Sequence, residues 1–325
     1  MSPTTTDPHT GWADEEQLLR AAWYYYVDQL TQDETAKRLS ISRASAGRLL
    51  DRCRKSGIVT FTISAEHYDA FELARRLKEK YGLREALVPP DLDDDTLRQA
   101  AINRRLALSG AQYLNAHLKA DDVVGVGWGE TVRKIVAVAN PDVLGRVSLV
   151  TLTGGVGGYV DTLRQVRRGR EDAPAHTVLP TPIAASTPEL AAALRAEPSV
   201  QDVLDTARRA DVALVGIGAV ATHSTLSQLG YASAEELDTY ARAGAVGDIL
   251  GVFFDADGQI VDVPLHGRRI GIDLEDLRRI PHVVSVAGGI DKVAAIRAAL
   301  RGNLVDVLVT SENVARALLE GDDGA

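Results

Sequence analysis

The chain has 325 residues, of which 45% are hydrophobic and 25% charged, with a formal net charge of −9. That balance is globular, and the length suggests two domains or one α/β domain with an attached module. One cysteine, Cys53, excludes intrachain disulfides and cysteine-only metal sites, and no run approaches the ~20 unbroken apolar residues of a membrane span.

Residues 14–28 are expected to form a helix. Leu18, Leu19, Ala22, Tyr25 and Tyr26 recur at helical spacing, and Asp14 to Glu16 suit a helix N-terminus. Thr31 followed by Glu34 is a capping box, so a second helix starts there and runs to about Leu39. Ser42 can cap a third helix, which Gly57 is placed to end. Two short helices joined by three or four residues make a helix-turn-helix. Ala36 is small where they would cross, and Ile41, Ala46 and Leu49 would face inward. Ser40 or Ile41 stands where a glycine is common, and Ile58–Ile63 reads as a following strand, as in a winged variant. Cys53 reads as a small packing residue rather than a reactive thiol.

The acidic net charge hides a basic island. Lys37, Arg38, Arg43, Arg48, Arg52, Arg54 and Lys55 stand against Asp51 alone, whereas residues 1–36 carry Arg20 against seven acids. A DNA-reading element needs such an island, because phosphate neutralisation supplies much of the affinity; a solvated helix face has the same composition. In a helix-turn-helix the start of the second helix enters the major groove, which singles out Ser42, Arg43, Ser45 and Arg48.

His67 to Tyr81 is expected to be an amphipathic helix that links the modules. Beyond residue 83 short apolar runs alternate with helical stretches: Val123–Val126, Val147–Leu152, Val178–Pro180, Val212–Ile217, Ile249–Phe254, Val283–Ala287 and Val305–Val309. That alternation predicts a Rossmann-like parallel sheet covered on both faces. Four glycine-rich loops fall at strand ends: Gly125 to Thr131, Thr153 to Gly158, Gly216 to Thr225 and Ala287 to Lys292. Ligands in such sheets bind at the carboxyl ends of strands, and a glycine loop opening a helix presents free N–H groups to an anion. Tight structural turns are the alternative use of those glycines.

These segments resemble the SorC family of bacterial sugar-responsive transcription regulators. The motifs that carry the resemblance are the helix-turn-helix, VGVGWGET, TGGVGG, ADVALVGIGAV, GAVGDILGVFFDADG and the run through IGIDLEDLRRIPHVVSVAGGIDK to LVDVLVT. The resemblance implies an α/β fold in which residues 1–64 bind operator DNA, 65–83 link, and 84–325 bind an effector and oligomerise. The effector domain would be similar in fold to phosphosugar isomerases and deaminases. It implies effector contacts at Gly127, Trp128, Gly129, Thr131, Gly154, Gly155, Asp248 and Lys292. Partners would be operator DNA and a small carbohydrate or carbohydrate phosphate, with no membrane and no cofactor, in a cytoplasmic homo-oligomer, dimer or tetramer.

The competing reading is a phosphosugar enzyme with an accessory N-terminal domain. In the related enzymes an acid and a histidine follow the GIG strand. Here Val220 stands at the acid position, so the carboxylate for acid–base work is missing, and His223, retained only with altered spacing, is a candidate to hydrogen-bond a sugar hydroxyl of the effector or a packing histidine. No catalytic and no metal-binding residue is therefore expected. Glu130 beside Thr131 would repel a phosphate at short range, which tilts the expectation slightly towards an unphosphorylated sugar or polyol.

Overall fold

A computed structural model describes residues 8–60, 65–90, 99–155, 176–221 and 224–320. The chain divides into two compact units, residues 1–64 and 65–325. No helix among the described residues is long and apolar enough to cross a membrane.

Among the described residues the first unit is three α-helices and a π turn. Helix α1 spans Pro8–Ala22, six residues earlier than its periodicity suggested, and runs into a π turn, Trp23–Val27. Leu18, Ala21 and Ala22 are buried, while Leu19 faces outward at 52% exposure, contrary to the sequence pattern. Helix α2, Gln32–Arg38, carries the full capping box: the Glu34 amide donates to Thr31 Oγ1 at 3.3 Å, and the Thr31 amide donates back to Glu34 Oε2 at 2.8 Å. Helix α3, Arg43–Lys55, starts at Ser42, whose Oγ accepts the Ser45 amide at 3.1 Å. Ser40 takes the left-handed conformation in the turn (φ 55°), the place a glycine fills more readily. Ala46 is buried, Leu49, Leu50 and Cys53 pack against Leu18, Ala21 and Ala22, and the Cys53 thiol donates to the Leu18 carbonyl. The expected strand Ile58–Ile63 does not form over Ile58–Thr60; Ile58 and Val59 pack on this core as irregular chain, and residues 61–63 lie outside the described residues.

The second unit opens with α4, Ala65–Tyr81, which is part of its core rather than a free link. Ala70, Leu73 and Leu77 are buried, Lys80 Nζ and Tyr81 Oη donate to the Leu318 carbonyl, and Arg316 pairs with Asp69 at 2.9 Å. Next come β1 (Glu85–Leu87), α5 (Gln99–His117), β2 (Val123–Val126), α6 (Glu130–Val138), β3 (Ser148–Thr151), β4 (His176–Thr177) and β5 (Val212–Val215). After them come β6 (Gly218–Ala219), β7 (Gly247–Ile249), β8 (Val252–Phe254), β9 (Val283–Val286) and β10 (Val307–Val309). Among the described residues seven strands form one parallel sheet in the order β1-β10-β9-β5-β2-β3-β4. Strand residues alternate between its faces. Val124, Val126, Leu214 and Val284 join the α5 and α6 side, while Ala213, Val215, Val283 and Leu308 join the core that includes α4.

Two elements correct the sequence reading. The apolar run Ile249–Phe254 is not one strand of the main sheet. It is the end of β7, the turn and all of β8 in an antiparallel hairpin of a second sheet ordered β6-β7-β8. Leu250 and Gly251 make the turn with φ of 57° and 75°, the conformation a two-residue hairpin loop demands. The strand expected at Val178–Pro180 lies just before it, at His176–Thr177.

Candidate functional site

The chain leaves β2 outward to β3 and β4, then returns on the other side of β2 to form β5. That reversal is a topological switch point, where strand-end loops diverge and leave a crevice. Strands β9, β5 and β2 are neighbours, so the glycine loops after them meet there. They line a cavity of about 410 Å³ together with the small sheet.

Trp128, Gly129, Glu130 and Thr131 line it from the loop after β2 and the start of α6. Gly129 is the N-cap, with φ 130°, and no side chain caps the helix. The first intrahelical bond is from the Arg133 amide to the Gly129 carbonyl, so the N–H groups before it are the orphan donors of a helix start. Glu130 lines the cavity, but its carboxylate lies 2.6 Å from Lys134 Nζ. That bond holds the Glu130 carboxyl below the usual carboxylate range, with Arg133 and Lys292 adding smaller pulls.

Asp248 reaches the same cavity from β7 and is 5% exposed. Its Oδ2 accepts the Gly251 amide at 3.1 Å. Burial pushes its carboxyl up to about 6, against the pull of that amide and of Lys292 and Arg269. Lys292, at the end of the 3-10 turn Ile290–Lys292, lines the cavity with Asp291. Asn103, from α5, and Ser224 and Gln228, from the loop and short helix after β6, complete the polar lining. Ser224 falls within the third glycine loop of the sequence reading, whereas Asn103 and Gln228 were missed and nothing local marks them: Asn103 is brought in by the packing of α5 beside α6.

Three expected contacts are not in the lining. Gly127 donates its amide to the Leu214 carbonyl at 2.8 Å, and a Cβ there would press on Leu250. Gly154 and Gly155 commit their amides to the carbonyls of Ile270 and Thr181. A Cβ on Gly154 would collide with the Pro182 backbone, so this pair of glycines is a packing turn. His223 lies outside the described residues, as does the end of that glycine loop, 156–158.

In the first unit, α3 presents Ser42, Arg43, Ser45 and Arg48 close together. Ser42 Oγ and Ser45 Oγ are 2.9 Å apart, and Arg48 Nη2 donates to Ser45 Oγ at 3.1 Å. Arg43 is 71% exposed, with its Nε 3.7 Å from Asp33 Oδ1. These are weak, exposed contacts that a phosphate or base edge can replace.

Residues 66–320 match the family described as "Putative sugar-binding domain". The chain is 39% identical over 311 residues to the transcriptional regulator LsrR of Klebsiella pneumoniae subsp. pneumoniae, covering 94% of each chain. It is 38% identical over 310 residues to LsrR of Enterobacter sp. (strain 638), covering 94% of this chain and 93% of that one. The full-length sorbitol operon regulator SorC from Klebsiella pneumoniae superposes with a TM-score of 0.69 at 28% identity, covering 95% of this chain and 100% of that one. A DeoR family transcriptional regulator from Listeria monocytogenes gives the same TM-score and identity over 77% of this chain and 99% of its own. With a family match over most of its length and regulators on both comparisons, this chain belongs to the SorC family of sugar-responsive, DNA-binding transcriptional regulators and is not an enzyme.

Proposed function

We propose that the cavity at the ends of β2, β5 and β9 takes a small phosphorylated carbohydrate as effector, and that its binding controls operator binding by α3. One observation carries the choice of a phosphate. Glu130, the carboxylate beside the start of α6, is drawn onto Lys134. The uncapped start of α6 and Lys292 both line the cavity, a combination that suits an anion. Thr131 supplies a hydroxyl beside the phosphate. Asp248 accepts from sugar hydroxyls and Asn103 donates or accepts, as their chemistry allows. The effector works by binding one DNA-binding state of the protein better than the other.

In the same reading residues 1–64 bind DNA in the cytoplasm, with Arg43 and Arg48 reaching base edges or phosphates and Ser42 and Ser45 beside them. The protein acts as a homo-oligomer, because paired helix-turn-helix units read two half-sites at fixed spacing.

Thermal unfolding with matched pairs of free sugars, polyols and their phosphates tests the effector. A ligand at a hundred times its dissociation constant stabilises the fold by ~2.7 kcal/mol. The expected result is a response to a sugar phosphate, lost in Lys292→Ala. A response to the free sugar with none to its phosphate would overturn the phosphate and restore the neutral effector.

A further inference from the structure

Behind the cavity lies a buried cation that none of the lining includes. Arg269 follows the short helix Pro264–Arg268 and is 7% exposed. Its Nη2 donates to the carbonyls of Ile272 at 2.6 Å and Gly271 at 3.4 Å, and its Nη1 to that of Leu250 at 3.4 Å. Among the described residues no carboxylate forms an ion pair with it. A guanidinium removed from water and met by carbonyl dipoles is costly. Burial accordingly lowers its affinity for its own proton.

Its position gives that cost a use. The Leu250–Gly251 turn is held from two sides. Asp248 accepts the Gly251 amide on the cavity side, and Arg269 donates to the Leu250 carbonyl from behind. A Cβ on Gly251 would stand 3.4 Å from Arg269 Cδ, so the arginine stem also packs against the turn. Leu250 and Asp248 both line the cavity. On its other side the Arg269 segment is tied to the loop after β3. Thr153 bridges to Gly271, and the Gly154 amide donates to the Ile270 carbonyl. Arg269 thus joins the packing turn of the second glycine loop to the turn that forms the cavity floor.

We propose that Arg269 is a positioning residue for the effector: it fixes the Leu250–Gly251 turn, and with it the Asp248 carboxyl, at the floor of the cavity without touching the ligand. The proposal rests on the cavity being the effector site. Asp248 faces the Gly251 amide, Lys292 and Arg269, while Arg269 also feels Asp273, Asp276 and Arg195. Of the two cations acting on Asp248, only Arg269 also holds its turn.

The test is a carbon-13 NMR titration of the Asp248 carboxyl in the full-length protein. The signal is identified by its loss in Asp248→Asn, and Gly251 amide exchange is read in the same samples. It needs no ligand, so its outcome is separate from the effector assignment. In Arg269→Met the Asp248 midpoint should rise, since an opposite charge has been removed from its surroundings and the Gly251 amide is held less firmly. Exchange at Gly251 should quicken by at least about tenfold as the turn loosens. Arg269→Lys keeps the charge and should hold the midpoint, with exchange between the other two. If Arg269→Met does not fold, Arg269→Gln gives the same readouts. A variant that melts earlier while both the Asp248 midpoint and the Gly251 exchange stay at wild-type values would reduce Arg269 to packing and overturn the proposal.

Discussion

The Asp248 carboxylate occupies the space that a side chain on Gly218 would need. The two residues are paired across β6 and β7, so the register of the small sheet sets the contact. A backbone without Cβ lets the carboxyl lie flat against β6 and turn its Oδ2 to the Gly251 amide. Gly218→Ala should push Asp248 off that amide and strain the hairpin. Overpacking of this kind costs roughly 1–3 kcal/mol. Chemical denaturation of the variant measures it. Wild-type stability, with the effector response unchanged, would mean that the carboxyl has another place to go.

Truncation separates the two units at a definite point. A segment 65–325 keeps α4 and should unfold cooperatively. A segment 84–325 loses Ala70, Leu73 and Leu77 from the core and the donors Lys80 and Tyr81 at Leu318. Losing one buried leucine already costs about 2–5 kcal/mol. The shorter segment should therefore aggregate or melt without a sharp transition, as read by calorimetry. Equal melting of the two would show that α4 contributes little to this core.

Arg43→Ala and Arg48→Ala test the DNA-reading face. If either reads a base, the loss should be about 1–3 kcal/mol on a selected operator and much smaller on random duplex. A phosphate contact should weaken both duplexes alike and lower the salt slope by about one. Fluorescence anisotropy over a salt series distinguishes the two. Intact affinity in both variants would remove α3 from the interface.

Two groups, half-buried His266 and buried Asp248, give opposite pH dependence. His266 Nε2 accepts the Phe253 amide at 2.9 Å, so the ring must be neutral there. Burial pushes it down to about 4 from its ordinary 6.5, with Arg269 adding to the shift. Its stabilising contribution is complete above pH 6.5 and is lost as the pH falls through about 4. Asp248 is raised from 3.8 to about 6, so its contribution is complete below pH 3.8 and is lost as the pH rises through about 6. His266→Ala should flatten the acid side of the stability profile, leaving the Phe253 amide unpaired at about 1–3 kcal/mol. Asp248→Asn should flatten the side near pH 6. Melting temperatures from pH 4 to 8 check both. Parallel profiles for His266→Ala and wild type would contradict the neutral clamp.

Much of the architecture was legible because it depends on neighbours in the chain. Thr31 with Glu34, and Ser42 with Ser45, settle their helix starts within three residues. The apolar runs at 123–126, 212–215 and 283–286 announce buried strands by composition alone. Glu130 was legible as a cavity residue, but its pairing with Lys134 depends on rotamers that periodicity does not report.

By itself the sequence determined the helix-turn-helix and the glycine loops at strand ends, and its resemblance to the family marked Trp128 to Thr131, Asp248 and Lys292 as candidates. Tertiary structure decided which loops share a cavity. The order β9-β5-β2 brings three of them together, while Gly154 and Gly155, equally glycine-rich, turn against Pro182 and Ile183. It also split Ile249–Phe254 into a hairpin, because the left-handed turn at Leu250 is held by Asp248 through the Gly251 amide and by Arg269 from behind. Local propensity acts between residues a few positions apart, whereas Asn103, Asp248 and Lys292 meet only where distant strands are packed side by side.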